Sequence, residues 1–321
     1  MRLQAGQRVC LAAKSILLAP IATALLPFQV QASDPIVVAT IKPIHAMVAQ
    51  VMGLTGEPRL LVNGAASPHT YALKPSDAKA LNEANIIFRV SEEIEPFTRK
   101  IVASLPKSVT VATLADVEGL HLLDKRKGDT FDTHSHGDDH EEGHEETRGR
   151  VRDAHVWLDP QNGVVMVREI ARALSEANPE KAAIYQANAA VAIAEIEATA
   201  KEIDAELAPL KTKPFVAFHD AYQYFEARFG VPVAGTITLS PDVQPSAKRL
   251  REIRNKIKKL GVKCVFAEPQ FKSNLVATVL EGTGAKSGTL DPEGASVKPG
   301  PDAYVTLLRN LAQDIKSCMN G

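Results

Sequence analysis

The chain has 321 residues, 45% of them hydrophobic, and its 37 basic and 38 acidic side chains nearly cancel to a net charge of −1. That balance gives no reason to expect nucleic acid or an anionic membrane as a bulk partner. The length allows two domains of ordinary size.

The first residues, MRLQAGQRVCLAAKSILLAPIATALLPFQVQASDP, carry Arg2, Arg8 and Lys14, then an apolar run, then small residues ending at Ala32. This is the pattern of a secretory signal peptide cut near Ala32/Ser33. A membrane helix is the alternative, but Pro20 and Pro27 break the run and leave it short for a span. Cys10 precedes the apolar run and is not placed to carry a lipid. The cut removes three of the 37 basic residues and none of the 38 acidic ones, for a net of about −4. Export implies an oxidising compartment, where Cys264 and Cys318 read as a disulfide. Such a bridge contributes roughly 4 kcal/mol in the chain-entropy model. Two buried free thiols are the other reading.

From Ile36 short apolar runs alternate with amphipathic segments. PIVVATI precedes PIHAMVAQVMG, PRLLVNG precedes KPSDAKALNEA, and NIIFRV precedes EIEPFTRKIVASL, followed by SVTVATL. Runs of β-branched residues followed by helical patterns predict βαβ units with a parallel sheet buried on both faces. The alternation returns in KPFVAFHD, VPVAGTIT, PSAKRLREIRNKIKKLG and VKCVFAE. Between the two sets, 159–177 is predicted helical with Asp159 as cap and Pro160 next. A longer helix is predicted over 179–207, with Asn178 as cap and Pro179 first. The expected fold is α/β: two parallel-sheet lobes joined by one long rigid helix. The expected divisions are a signal peptide (1–32), an N-terminal lobe (33–177), the linking helix (178–210) and a C-terminal lobe (211–321).

Residues 132–147, DTHSHGDDHEEGHEET, hold His134, His136, His140 and His144 among carboxylates and glycine. Without apolar residues the stretch builds no core. It reads as a charged linker, a tag or a weak metal-catching arm. Of the other histidines, His69 lies in a loop after a predicted strand, His155 just before a helix cap, and His219 at a strand end; Asp291 follows the run GAKSG. Strand ends are where open α/β sheets bind ligands, and three imidazoles with a carboxylate suit Zn²⁺. Their spacing alone fixes no local geometry. His45, inside a helix, and His121, in the apolar strand GLHLL, read as structural. Asp153, Asp159, Asp220 and Glu268 are candidates to orient the ligands, in no particular order.

ASPHTYALKPSDAKAL, DAHVWLDPQN, AFHDAYQYFEARFG and GTLDPEG, together with the histidine-rich insertion, resemble the metal-specific solute-binding proteins of ABC importers, most closely the zinc-uptake (ZnuA) type. The resemblance spans the chain beyond the leader. It implies a non-enzymatic, periplasmic, monomeric protein that holds Zn²⁺ as cargo between two lobes and delivers it to an inner-membrane permease with its cytoplasmic ATPase. It carries the metal ligands over to His69, His155 and His219. Manganese-binding relatives place a glutamate where this chain has His219. Some zinc members place a carboxylate just before the first histidine, where this chain has Pro68, so Asp291 or a water is left as the fourth ligand. The alternatives are a manganese or other divalent-metal protein, a zinc-buffering or adhesion protein, and, more remotely, a zinc hydrolase. No HExxH is present to support the last.

Overall fold

The computed structural model describes residues 34–126, 151–272 and 274–320. The leader and the histidine-rich stretch lie outside them. Two four-stranded sheets, every pairing parallel, form two α/β lobes. The first contains β1 (Val37–Ala39), β2 (Arg59–Leu60), β3 (Ile86–Arg89) and β4 (Thr110–Thr113), in the order β2-β1-β3-β4. The second contains β5 (Phe215–Ala217), β6 (Val233–Thr236), β7 (Cys264–Ala267) and β8 (Lys286–Thr289), in the order β6-β5-β7-β8. The middle strands β1, β3 and β5 are buried along their whole length. That is why they read as unbroken apolar runs and not as alternation.

Helices α1 (Lys42–Met52), α2 (Pro75–Glu83) and α3 (Thr98–Ser104) cover the first sheet. The pattern in EIEPFTRKIVASL produces helix only in its second half. Next come α4 (Pro160–Ala177) and α5 (Ala182–Leu207). Asp159 caps α4 as expected, its side chain accepting from the Gln161 N–H. Asn178 holds the cap position of a 3₁₀ turn, Pro179–Lys181, without a side-chain cap bond, and α5 begins only after that turn; Asn178 Nδ2 lies 3.5 Å from Asp34 Oδ1. The 26 residues of α5 span about 39 Å at 1.5 Å per residue. Tyr185, Ala189, Ala192, Ile196, Thr199, Ile203 and Leu207 make its buried stripe at helical spacing.

The second lobe adds α6 (Gln223–Phe229), α7 (Ala247–Leu260), α8 (Asn274–Leu280) and α9 (Ala303–Asn320). Gly261, at φ 61°, ends α7 in the left-handed conformation that glycine takes without strain. α9 returns to pack on α1 and α5, burying Tyr304, Leu307, Leu308, Leu311 and Ile315 in a core shared with the first lobe. The Cys264–Cys318 disulfide ties α9 to β7. Further bonds join the lobes. Lys42 Nζ donates to the carbonyls of Gly294, Ala295 and Val297, and Trp157 Nε1 to that of Pro292. Arg228 pairs with both oxygens of Asp159 at 2.6 and 2.8 Å.

The expected strand around His121 does not form. Its backbone N–H and carbonyl both bond the Asn162 side chain, at 2.8 and 3.0 Å, and not a neighbouring strand. The local pairing is a single bridge, Asp124 with Arg152. His45 is structural as read: buried in α1, with Nε2 3.0 Å from the Pro58 carbonyl.

Candidate metal centre

His69 sits in the 3₁₀ turn Pro68–Thr70 that follows β2, His155 one residue before the 3₁₀ turn Val156–Leu158, and His219 two residues past β5. Folding brings these distant positions into a nearly equilateral triangle, with ring centroids 5.4, 5.7 and 5.3 Å apart. One nitrogen from each ring lies within 4.8 Å of the others.

Hydrogen bonding selects which nitrogen faces inward. His155 Nδ1 lies 2.8 Å from Asp153 Oδ1, which also accepts the His155 backbone N–H at 3.0 Å. His219 Nδ1 lies 2.6 and 2.8 Å from the two oxygens of Glu268. With each Nδ1–H donating to a carboxylate, each Nε2 offers its lone pair to the triangle. The two Nε2 atoms are 3.4 Å apart. Two nitrogens bound tetrahedrally at zinc distances are separated by about 3.3 Å. His69 Nε2 is buried with no hydrogen-bond partner. A buried acceptor without a partner costs stability, and a metal ion would satisfy it.

The carboxylates that sequence left unranked now separate. Asp153 and Glu268 hydrogen-bond the His155 and His219 rings directly. Asp220 lies beside Arg126 at 3.6 Å, and Asp159 is taken by Arg228 and the α4 cap. Two tyrosines that sequence reasoning missed stand behind them. Tyr224 Oη donates to the Asp153 carbonyl at 2.7 Å, and Tyr222 Oη reaches Glu268 at 3.2 Å. Their positions three and five residues after His219 were the available signal.

Burial first, then the neighbouring His155 and His219, pushes His69 down to about 2. Burial also holds His155 well below the usual imidazole value. At His219 burial acts the same way, but the Glu268 charge and hydrogen bond outweigh it and leave His219 above that value. Burial raises Asp153 to about 6, so it is ionised at neutral pH. Two of the three imidazoles are therefore held neutral, as metal ligation requires.

The cavity over the triangle is about 50 Å³, with Glu93, Lys125, Ser240 and Pro241 among its lining residues. One water needs about 10–15 Å³, so the space suits an ion with a few waters and not a sugar or amino acid. Asp291, two residues past β8, is not part of the three-histidine group. Its Oδ1 accepts from Gln270 Nε2 at 2.8 Å and from the Glu293 N–H, while its Oδ2 is buried without a partner.

Residues 37–318 match the family model described as zinc-uptake complex component A, periplasmic. The chain belongs to the ZnuA family. The high-affinity zinc uptake system protein ZnuA of Brucella suis biovar 1 is 46% identical over 305 residues, covering 88% of this chain and 91% of that one. A crystal structure of a ZnuA deletion mutant with zinc bound superposes with a TM-score of 0.71 at 25% identity, covering 89% and 98% of the two chains. The laminin-binding adhesin Lmb of Streptococcus agalactiae gives 0.72 at 26%, covering 88% and 98%. The family is one of solute-binding proteins for zinc transport, not of enzymes.

Proposed function

We propose that this protein captures Zn²⁺ in the periplasm through the Nε2 atoms of His69, His155 and His219, and delivers it to an ABC permease with its ATPase. The observation that carries this reading is the convergence of one nitrogen from each of the three rings, with two rings oriented by carboxylates and His69 Nε2 buried without a partner. Three nitrogens favour zinc over manganese, which prefers a more oxygen-rich set. Asp291, through its unpartnered Oδ2, or a water supplies the fourth ligand. The cargo needs no chemistry: binding displaces a proton and completes the coordination.

The chain works as a monomer after removal of residues 1–32. Its lobes, 33–177 and 211–321, meet across the linking segment 178–210. Hydrogen bonds between the lobes limit their opening to a small movement. The stretch carrying His134, His136, His140 and His144 leaves the described structure after Arg126, next to the pocket residue Lys125. We propose that it collects zinc weakly at the mouth, and deleting it should slow uptake at low zinc.

The test is zinc binding by chelator-stripped protein, measured by competition calorimetry on wild type and on His69→Ala, His155→Ala and His219→Ala. One tight site, lost in each variant, is the expected result. A tight site indifferent to all three would overturn the assignment.

A further inference from the structure

α7 concentrates charge in a chain that is nearly neutral overall. Its 14 residues hold seven basic side chains and one acidic one, in a protein of net charge −1. Arg249, Ile253 and Ile257 are buried, and the Arg249 guanidinium donates inward to the Thr236 carbonyl. Lys248, Arg251, Lys258 and Lys259 are exposed. On a helical wheel they fall with Asn255 in one arc of about 100°, facing away from the buried side along a rod of about 21 Å. Lys248 has Glu252 at 3.7 Å, whereas Arg251, Lys258 and Lys259 make no ion pair among the described residues.

Folding accounts for only half of this stripe. Cations in the last turn, Lys258 and Lys259, complement the negative end of the helix dipole. Lys248 stands in the first turn, where the dipole disfavours a cation, and Arg251 lies beyond it, where the dipole neither favours nor disfavours one. The dipole places neither of them there, and Arg251 has no ion pair among the described residues.

We propose that this outward face of α7 docks the protein on anionic phospholipid headgroups. The stripe is straight and carries three ammonium groups and one guanidinium on flexible stems, with no exposed aromatic residue among them. It therefore matches a diffuse sheet of negative charge better than a shaped acidic protein surface. The family is periplasmic, so membranes bound its compartment. A weak, reversible hold would keep the protein near the membrane that contains its permease, turning a search in volume into a search over a surface. The inference does not depend on which residues bind metal.

The test uses protein purified from the periplasm, with absence of residues 1–32 confirmed by mass, because a basic and apolar leader would itself bind anionic lipid. Co-sedimentation at low salt should recover roughly tenfold or more protein with vesicles containing phosphatidylglycerol than with phosphatidylcholine alone, and added salt should abolish the difference. The variant Lys248→Glu/Arg251→Glu/Lys258→Glu/Lys259→Glu should lose the preference while binding zinc as wild type does, which shows that it is folded. Equal recovery of wild type on both vesicles would overturn the proposal. So would a preference that survives the four substitutions, or binding only to vesicles that contain the permease; the last result would assign the stripe to an acidic protein surface.

Discussion

His219 and Glu268, 49 residues apart in the chain, are joined at two points. The imidazole Nδ1 lies 2.6 and 2.8 Å from the two carboxylate oxygens, and the His219 backbone N–H reaches Oε1 at 3.3 Å. The pair fixes ring, tautomer and the direction of Nε2 together. Glu268→Gln keeps an acceptor but removes the charge, so zinc affinity should fall about 10- to 100-fold. Competition titration against a chelator measures this, and a change below about twofold would remove Glu268 from the orienting role.

The pH dependence should be dominated by one group. His69 and His155 are held far below the usual imidazole value, so no proton has to leave them near neutrality. His219 is raised, so its proton competes with zinc once the pH drops below that raised value. Affinity should be flat above it and fall about tenfold per pH unit below it, with a second loss near pH 6 as Asp153 takes up a proton. Calorimetry in buffers of different ionisation heat should count about one proton released per zinc below the His219 transition. Two or more at neutral pH would contradict the neutral state of the other rings.

Asp291 has one oxygen engaged and one buried without a partner. If the free oxygen completes the coordination, Asp291→Asn lowers zinc affinity by about tenfold, because a neutral amide oxygen is a weaker ligand. Unchanged affinity, read in the same titration, would assign the fourth position to water.

Gly163 in α4 faces the ring of Tyr304 in α9 so closely that a methyl group there would collide with it. Helix propensity alone would make Gly163→Ala stabilising by about 1 kcal/mol. The collision should reverse the sign and leave a net loss of roughly 1–2 kcal/mol. Urea unfolding gives the sign directly, and zinc affinity should stay within about twofold.

Breaking the Cys264–Cys318 bond, which closes a separation of 54 residues, should cost up to about 4 kcal/mol. For a protein of this size that lowers Tm by roughly 10 °C. Thermal melts of the Cys264→Ser/Cys318→Ser variant provide the measurement.

Much of the architecture was legible because buried parallel strands leave continuous runs such as NIIFRV, and helix starts leave signals such as Asp159–Pro160. Asn178–Pro179 carried the same signal but opens only a 3₁₀ turn, with no side-chain cap bond, before α5 begins at Ala182. GLHLL has the composition of a strand, but Asn162 satisfies the His121 backbone instead. The three histidines stood out by position at the ends of apolar runs. Their convergence was invisible, because spacings of 60 to 90 residues carry no geometry. The ranking of the carboxylates was hidden for the same reason: only the folded chain shows that Asp153 and Glu268 reach an Nδ1 while Asp159 is claimed by Arg228.

α9 closes a core that α1 opens, although some 250 residues of chain lie between them. A chain threaded across a membrane from its N terminus would therefore present α1 and α5 with one flank bare until nearly all of it had crossed. Completion of the first lobe would coincide with the end of translocation. A truncation removing α9 would leave both lobes unfinished rather than one.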